Sequence, residues 1–160
     1  MRRGRPTRPE AAAMARCGLD VLYAATVEVT GGRDGQAAAP GGMPRLTLDH
    51  PAELGGRGAG TNPEQLLAAA FGASFGSALD LEARQIGCAV DPLRVTAIVA
   101  FGHGDEGCFA IAVELHCHLA TLPRETAERL LRAARAACPY CRMVRGNLDL
   151  VIMLAGTDAP

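Results

Sequence analysis

The chain has 160 residues, a formal net charge of −1 and 49% apolar residues, with four Phe, two Tyr and no Trp. That length suits one domain able to bury its own core, and the apolar share excludes a disordered chain. The near-zero charge removes any global electrostatic case for nucleic acid or an anionic membrane as partner.

The first eighteen residues gather Arg2, Arg3, Arg5, Arg8 and Arg16 with Pro6, Pro9 and an Ala run. They read as a flexible extension, with the domain proper over 19–157. The segment has no apolar core of the kind a secretory signal carries, and no unbroken apolar run reaches the roughly 18 residues of a membrane span. Six cysteines, Cys17, Cys88, Cys108, Cys117, Cys138 and Cys141, in a chain without a signal read as reduced thiols in the cytoplasm, not as a disulfide framework.

Residues 21–30 alternate, which predicts a half-buried strand with Val21, Tyr23, Ala25, Val27 and Val29 on one face. The turn Gly31-Gly32-Arg33-Asp34-Gly35 follows, with 36–39 as its hairpin partner. A further strand over 45–50 turns Leu46 and Leu48 inward. Thr61-Asn62-Pro63-Glu64 combines a polar cap, Pro at the first helical position and an acid in the first turn. It opens a helix expected to run to about Gln85 and stop near Gly87. Residues 66–79 carry no charge, so this helix is expected to be buried on nearly all sides, by a sheet and by a partner subunit. Leu67, Phe71, Ser74, Ala78 and Leu81 fall on one stripe.

Leu93 to Phe101 and Phe109 to Leu119 alternate as two strands of an antiparallel hairpin. An amphipathic helix over 121–137 turns Ala127, Leu130, Leu131, Ala134, Ala137 and Cys138 inward. Leu148, Leu150, Ile152 and Leu154 form a last strand. Three strands, helix, two strands, helix, strand is an α+β layout.

Four blocks in order carry a resemblance: Gly31-Gly32-Arg33-Asp34-Gly35; Glu53-Leu54-Gly55-Gly56; Gly60-Thr61-Asn62-Pro63-Glu64-Gln65-Leu66; and Cys138-Pro139-Tyr140 followed by Arg145-Gly146-Asn147. Together they resemble the organic hydroperoxide resistance group of the OsmC/Ohr superfamily, in register from about Leu22 to Leu154. The resemblance implies an intertwined homodimer with antiparallel sheets wrapping a long central helix. It also implies two-cysteine reduction of organic and fatty-acid hydroperoxides, with a dihydrolipoyl-type dithiol as reductant and no cofactor. In that group an Arg in the glycine turn, paired with a Glu at the start of the central helix, activates the peroxidatic thiolate. Those roles fall on Arg33 and Glu64. The resolving cysteine falls on Cys138, and Phe71, Phe75 and Tyr140 are the expected pocket side chains.

The peroxidatic cysteine falls on Ser74, in Ala73-Ser74-Phe75. A serine forms no sulfenate and no disulfide, so it cannot stand in for the thiol. Two explanations stay open at this level: a small helical residue whose hydroxyl bonds back to the Ala70 carbonyl, or a deliberate Cys→Ser exchange. The second departure is Cys141, which makes Cys138-Pro139-Tyr140-Cys141 a C-x-x-C pair. Either the peroxidatic role has moved to Cys138 with Cys141 resolving and Ser74 dispensable, or Cys138 is an inward helix residue and Cys141 a bystander. The same string occurs in glutaredoxins, but there it follows an N-terminal strand and opens a helix; here it follows a helix near the C-terminus. Arg33 and Glu64 also have a plain reading as a turn arginine and a helix-start acid. Cys117 reads as core, and Cys88 and Cys108 as incidental. His116 and His118 share a strand face with Glu114, and a solvated face explains them better than a metal.

Overall fold

The computed structural model describes residues 20–39, 44–104 and 107–156; residues 1–18, expected as a flexible extension, lie outside the described part. The chain divides into two compact units, Met1–Asn62 and Pro63–Pro160.

The first unit is built on a three-stranded sheet of β1 (Glu28–Thr30), β2 (Gln36–Ala38) and β3 (Leu46–Thr47), in that order. β1 and β2 are antiparallel, with Val29 opposite Ala37. The expected strand over 21–30 is therefore mostly absent. Its pairing ends at Glu28 opposite Ala38, and Leu22 and Tyr23 are 93% and 80% exposed. Alternation predicts a buried face only where a neighbouring strand and a covering layer exist; within the unit, β2 is too short to supply either.

The turn between β1 and β2 is a short 3-10 helix, Gly32–Asp34. Gly31 and Gly32 sit at φ 75 and 59, where a side chain is strained. At Gly35 the need is space: a Cβ there would lie 1.7 Å from the Thr30 carbonyl oxygen. The loop after β3 is tied by Asp49, whose buried carboxylate accepts the Ala59 N–H at 3.0 Å and lies 3.6 Å from Arg57.

The second unit holds the long helix α1 (Pro63–Gln85), the hairpin strands β4 (Arg94–His103) and β5 (Phe109–His118), α2 (Arg124–Ala137), the five-residue α3 (Pro139–Met143) and β6 (Asp149–Leu154). β4 and β5 are antiparallel, with Val99 opposite Val113. β6 joins β5 in parallel, Leu115 opposite Ile152. A parallel join needs a crossover, and α2 and α3 supply it. Val113, Leu115 and Cys117 are fully buried, while the alternate positions Glu114, His116 and His118 are half-buried on the other face.

α1 occupies the predicted span but is not covered on all sides. Phe71, Phe75, Leu79 and Ala83 are wholly buried, yet Leu66 and Leu81 are 36% and 54% exposed. One face rests on β4, where Gly72 and Gly76 let the backbone approach Ala97, Leu93 and Val95. Phe71 and Ser74 on another side meet Tyr140 and Cys138 of the α2–α3 region, and Leu81 lies outside this cover within the single chain. α2 begins three residues later than expected, because Pro123 holds an extended conformation at its cap. Ala127, Leu130, Leu131 and Ala134 are buried as expected. Ala137 is exposed, since the helix ends there and the chain turns at Cys138. Burying a Leu or Phe side chain contributes about 1.5–3 kcal/mol, so the Phe71–Phe75–Leu79 face is the main anchor of α1.

Candidate functional site

The site lies where the middle of α1 meets the junction of α2 and α3. The Cys138 N–H bonds to the Ala134 carbonyl at 2.8 Å, completing α2. Cys138 then adopts an extended conformation (φ −64, ψ 121) and caps α3, with Pro139 in its first turn. This break directs the Cys138 side chain into the core, where it is 0% exposed. The C-x-x-C string thus follows one helix, as expected, and also opens a second, shorter one.

Opposite stands Ser74, half-buried on α1. Its Oγ lies 3.5 Å from the Cys138 Sγ. The expected bond from Ser74 to the Ala70 carbonyl is replaced by this contact. Ser77, one turn further along the same helix, does bond back, donating to the Ala73 carbonyl at 2.9 Å.

Cys141, three residues on, is 4% exposed. Burial first, then the neighbouring Cys138, push the Cys141 thiol up to about 12; Arg135 pulls the other way. Cys141 is therefore a protonated thiol at neutral pH. Cys138 and Cys141 are both free thiols. The Tyr140 ring meets Phe71 edge-on, centroids 5.4 Å apart at 73°, a geometry that fixes α3 against α1.

Of the expected pocket side chains, Phe71 and Phe75 are fully covered and Tyr140 is half-buried. An open cleft of about 390 Å³ lies instead between α1 and β4, lined by Gly72, Ala73, Gly76, Ser77, Asp80, Leu93 and Val95. Arg33 is half-buried in its glycine turn in the first unit, and Glu64 is half-buried in the first turn of α1 in the second. Beside Arg33, the Asp34 carboxylate bonds to His50 Nδ1 at 2.7 Å. That bond holds the Asp34 carboxyl below the usual range, with desolvation opposing and the charges of His50 and Arg57 assisting. Sequence reasoning missed the Asp34–His50 tie; an acid and a histidine sixteen residues apart carry no local signal.

The remaining candidates separate from the site. Cys117 is buried in the sheet core and pushed up to about 12 by burial. Cys88 is half-buried and Cys108 exposed; Cys17 lies outside the described residues. His116 bonds to Glu114 at 3.0 Å, and His118 lies between Arg94 (2.9 Å) and Thr96 (3.2 Å). No group of three or more His, Cys, Asp or Glu able to hold a metal occurs among the described residues.

Residues 55–152 match the family model of OsmC-like proteins. The organic hydroperoxide resistance protein of Xanthomonas axonopodis pv. citri is 38% identical over 141 residues, covering 84% of this chain and 96% of that protein. The crystal structure of the organic hydroperoxide resistance protein OhrB of Bacillus subtilis is 35% identical with a TM-score of 0.77, covering 84% of this chain and 99% of that one. A Legionella pneumophila organic hydroperoxide resistance protein OsmC superposes with a TM-score of 0.79 at 36% identity, covering 84% and 98% of the two chains. The chain belongs to the OsmC-like family, within its organic hydroperoxide resistance (Ohr) subfamily.

Proposed function

We propose that the protein is a thiol-dependent reductase of organic hydroperoxides, fatty-acid hydroperoxides among them, in which Cys138 is the attacking sulfur and Cys141 resolves it. The observation that carries this reading is the buried Cys138 sulfur 3.5 Å from the Ser74 hydroxyl, with Cys141 buried three residues on.

In the first step the Cys138 thiolate attacks a peroxide oxygen. An S–O bond forms, the O–O bond breaks, and the alkoxide takes a proton to leave as alcohol, giving a Cys138 sulfenic acid. In the second, Cys141 loses its proton and attacks that sulfur. An S–S bond forms and the oxygen departs as water. A dihydrolipoyl-type dithiol then reduces the disulfide by exchange.

Arg33 and Glu64 are assigned the activating pair on their match to the subfamily pattern. A guanidinium held by a carboxylate suits a thiolate or a peroxide oxygen. Phe71, Phe75 and Tyr140 are assigned the apolar surroundings of the substrate. The homodimer and the cytoplasmic setting belong to the same reading.

A second reading is supported by the near-complete cover over both sulfurs and the hydroxyl at position 74: a relative without catalysis that binds an apolar, lipid-like ligand. One assay separates the two. Reduced protein is mixed with cumene hydroperoxide, and free thiols and peroxide are counted. Loss of two thiols per chain with matching peroxide consumption, a Cys138–Cys141 link by mass spectrometry, and no turnover in Cys138→Ser are the expected results. Unchanged thiols, or full turnover in Cys138→Ser, would reject the enzyme.

A further inference from the structure

We infer that Ser74 is a positioning residue for the Cys138 sulfur: its hydroxyl donates a hydrogen bond that holds Cys138 in place and favours its thiolate. This inference deepens the proposed peroxidase and rests on its assignment of Cys138. It also revises the sequence expectation that Ser74 is dispensable.

Three observations carry it. The Ser74 Oγ lies 3.5 Å from the Cys138 Sγ, a normal separation for a hydrogen bond to sulfur. In the neutral pair either group can donate; once Cys138 ionises, only the serine has a proton to give. A hydrogen bond made to the charged form favours that form. Second, Ser74 forgoes the bond to its own helix that Ser77 makes at 2.9 Å, so its hydroxyl is turned toward the sulfur. Third, Cys138 is fully covered by protein. A buried anion without donors is strongly disfavoured, so each donor aimed at it has a large effect.

The groups facing Cys138 are few. α1 presents the Ser74 hydroxyl, and Cys141 and Tyr140 of α3 lie in the same core cluster. Arg135 on α2 acts on Cys141 through its charge. Cys117 on β5 and Cys88 complete the titratable groups of the same core cluster. Ser74 is thus the neutral donor in contact with the sulfur.

The test follows the ionisation of Cys138 directly, through the Cβ chemical shift of labelled cysteine against pH, in the full chain. In Ser74→Ala the Cys138 midpoint should rise by about one unit, so that about ten-fold less thiolate remains at a given pH, as expected for loss of one hydrogen bond to a charged group. Ser74→Thr and Ser74→Val have matching shapes and differ in the hydroxyl. Threonine should keep the wild-type midpoint and valine should show the raised one, so a packing effect is separated from a donor effect. Equal midpoints across the series would overturn the inference, as would a Cys138 that never ionises while the wild type stays folded. The outcome is independent of turnover. A shifted midpoint without peroxide consumption sinks the peroxidase reading alone. Consumption through Cys138 that is the same in Ser74→Ala, with no shift, sinks the inference alone.

Discussion

The Ser74 hydroxyl and the Cys138 sulfur face each other across 3.5 Å, although 64 residues separate them in the chain. The resemblance assigns these two positions to the attacking and resolving thiols of the subfamily. At these two positions this chain brings together one hydroxyl and one sulfur.

Ser74→Cys should therefore restore a second reactive thiol at contact distance from Cys138. Side chains already this close need little backbone movement to form a disulfide. The variant should consume organic hydroperoxide at least about ten-fold faster than the parent, because the new thiol is half-buried while Cys138 is covered. The introduced thiol should form a disulfide with Cys138, and turnover should no longer depend on Cys141. Peptide mapping after one equivalent of peroxide checks this, and a persistent Cys138–Cys141 link would argue against it.

Cys141→Ser should allow one turnover and then stop. Cys138 would be left as sulfenic acid with no partner within its own motif, and would proceed to the irreversible sulfinic form under excess peroxide. Intact-mass measurement should show additions of one and then two oxygens on Cys138. Steady turnover in this variant would mean that another thiol resolves the intermediate.

Phe71→Ala should cost about 3–5 kcal/mol of stability, in the range for deleting a buried aromatic ring. Phe71 is fully buried and meets Tyr140 edge-on. Its loss should also loosen α3 and speed alkylation of Cys141. Urea unfolding and mass-spectrometric labelling give both readouts.

Stability should fall on the alkaline side. Cys117 and Cys141 are both pushed up to about 12 from an ordinary 9.0, with burial as the first cause. Unfolded, they lose protons from about pH 9; folded, they hold them to about pH 12. The unfolded state then binds fewer protons, so ∂ΔG/∂pH is negative in that window. The contribution is complete below pH 9 and is lost as pH rises toward 12. Urea midpoints across this range should decline, and Cys117→Val should reduce the slope.

Gly35→Ala should disrupt the turn that carries Arg33, because the added Cβ would lie 1.7 Å from the Thr30 carbonyl oxygen. The Leu48 N–H, bonded to the Gly35 carbonyl at 2.8 Å, should lose protection from hydrogen exchange by at least about ten-fold, equivalent to about 1.4 kcal/mol of local opening. Unchanged protection would show that the turn accommodates the methyl by shifting.

The sequence by itself determined what depends on near neighbours. The span of α1 follows from its proline-and-acid start and its long uncharged run. The β4–β5 hairpin follows from alternation, and α2 from its apolar stripe. The subfamily follows from four motifs in fixed order. Only the tertiary structure decided that Ser74 meets Cys138, that Cys141 is covered and protonated, that β6 runs parallel to β5, and that residues 21–27 form no strand. Periodicity and caps act over one or two turns. A contact between α1 and the α2–α3 junction is set by how two helices settle on one sheet, which no local pattern encodes.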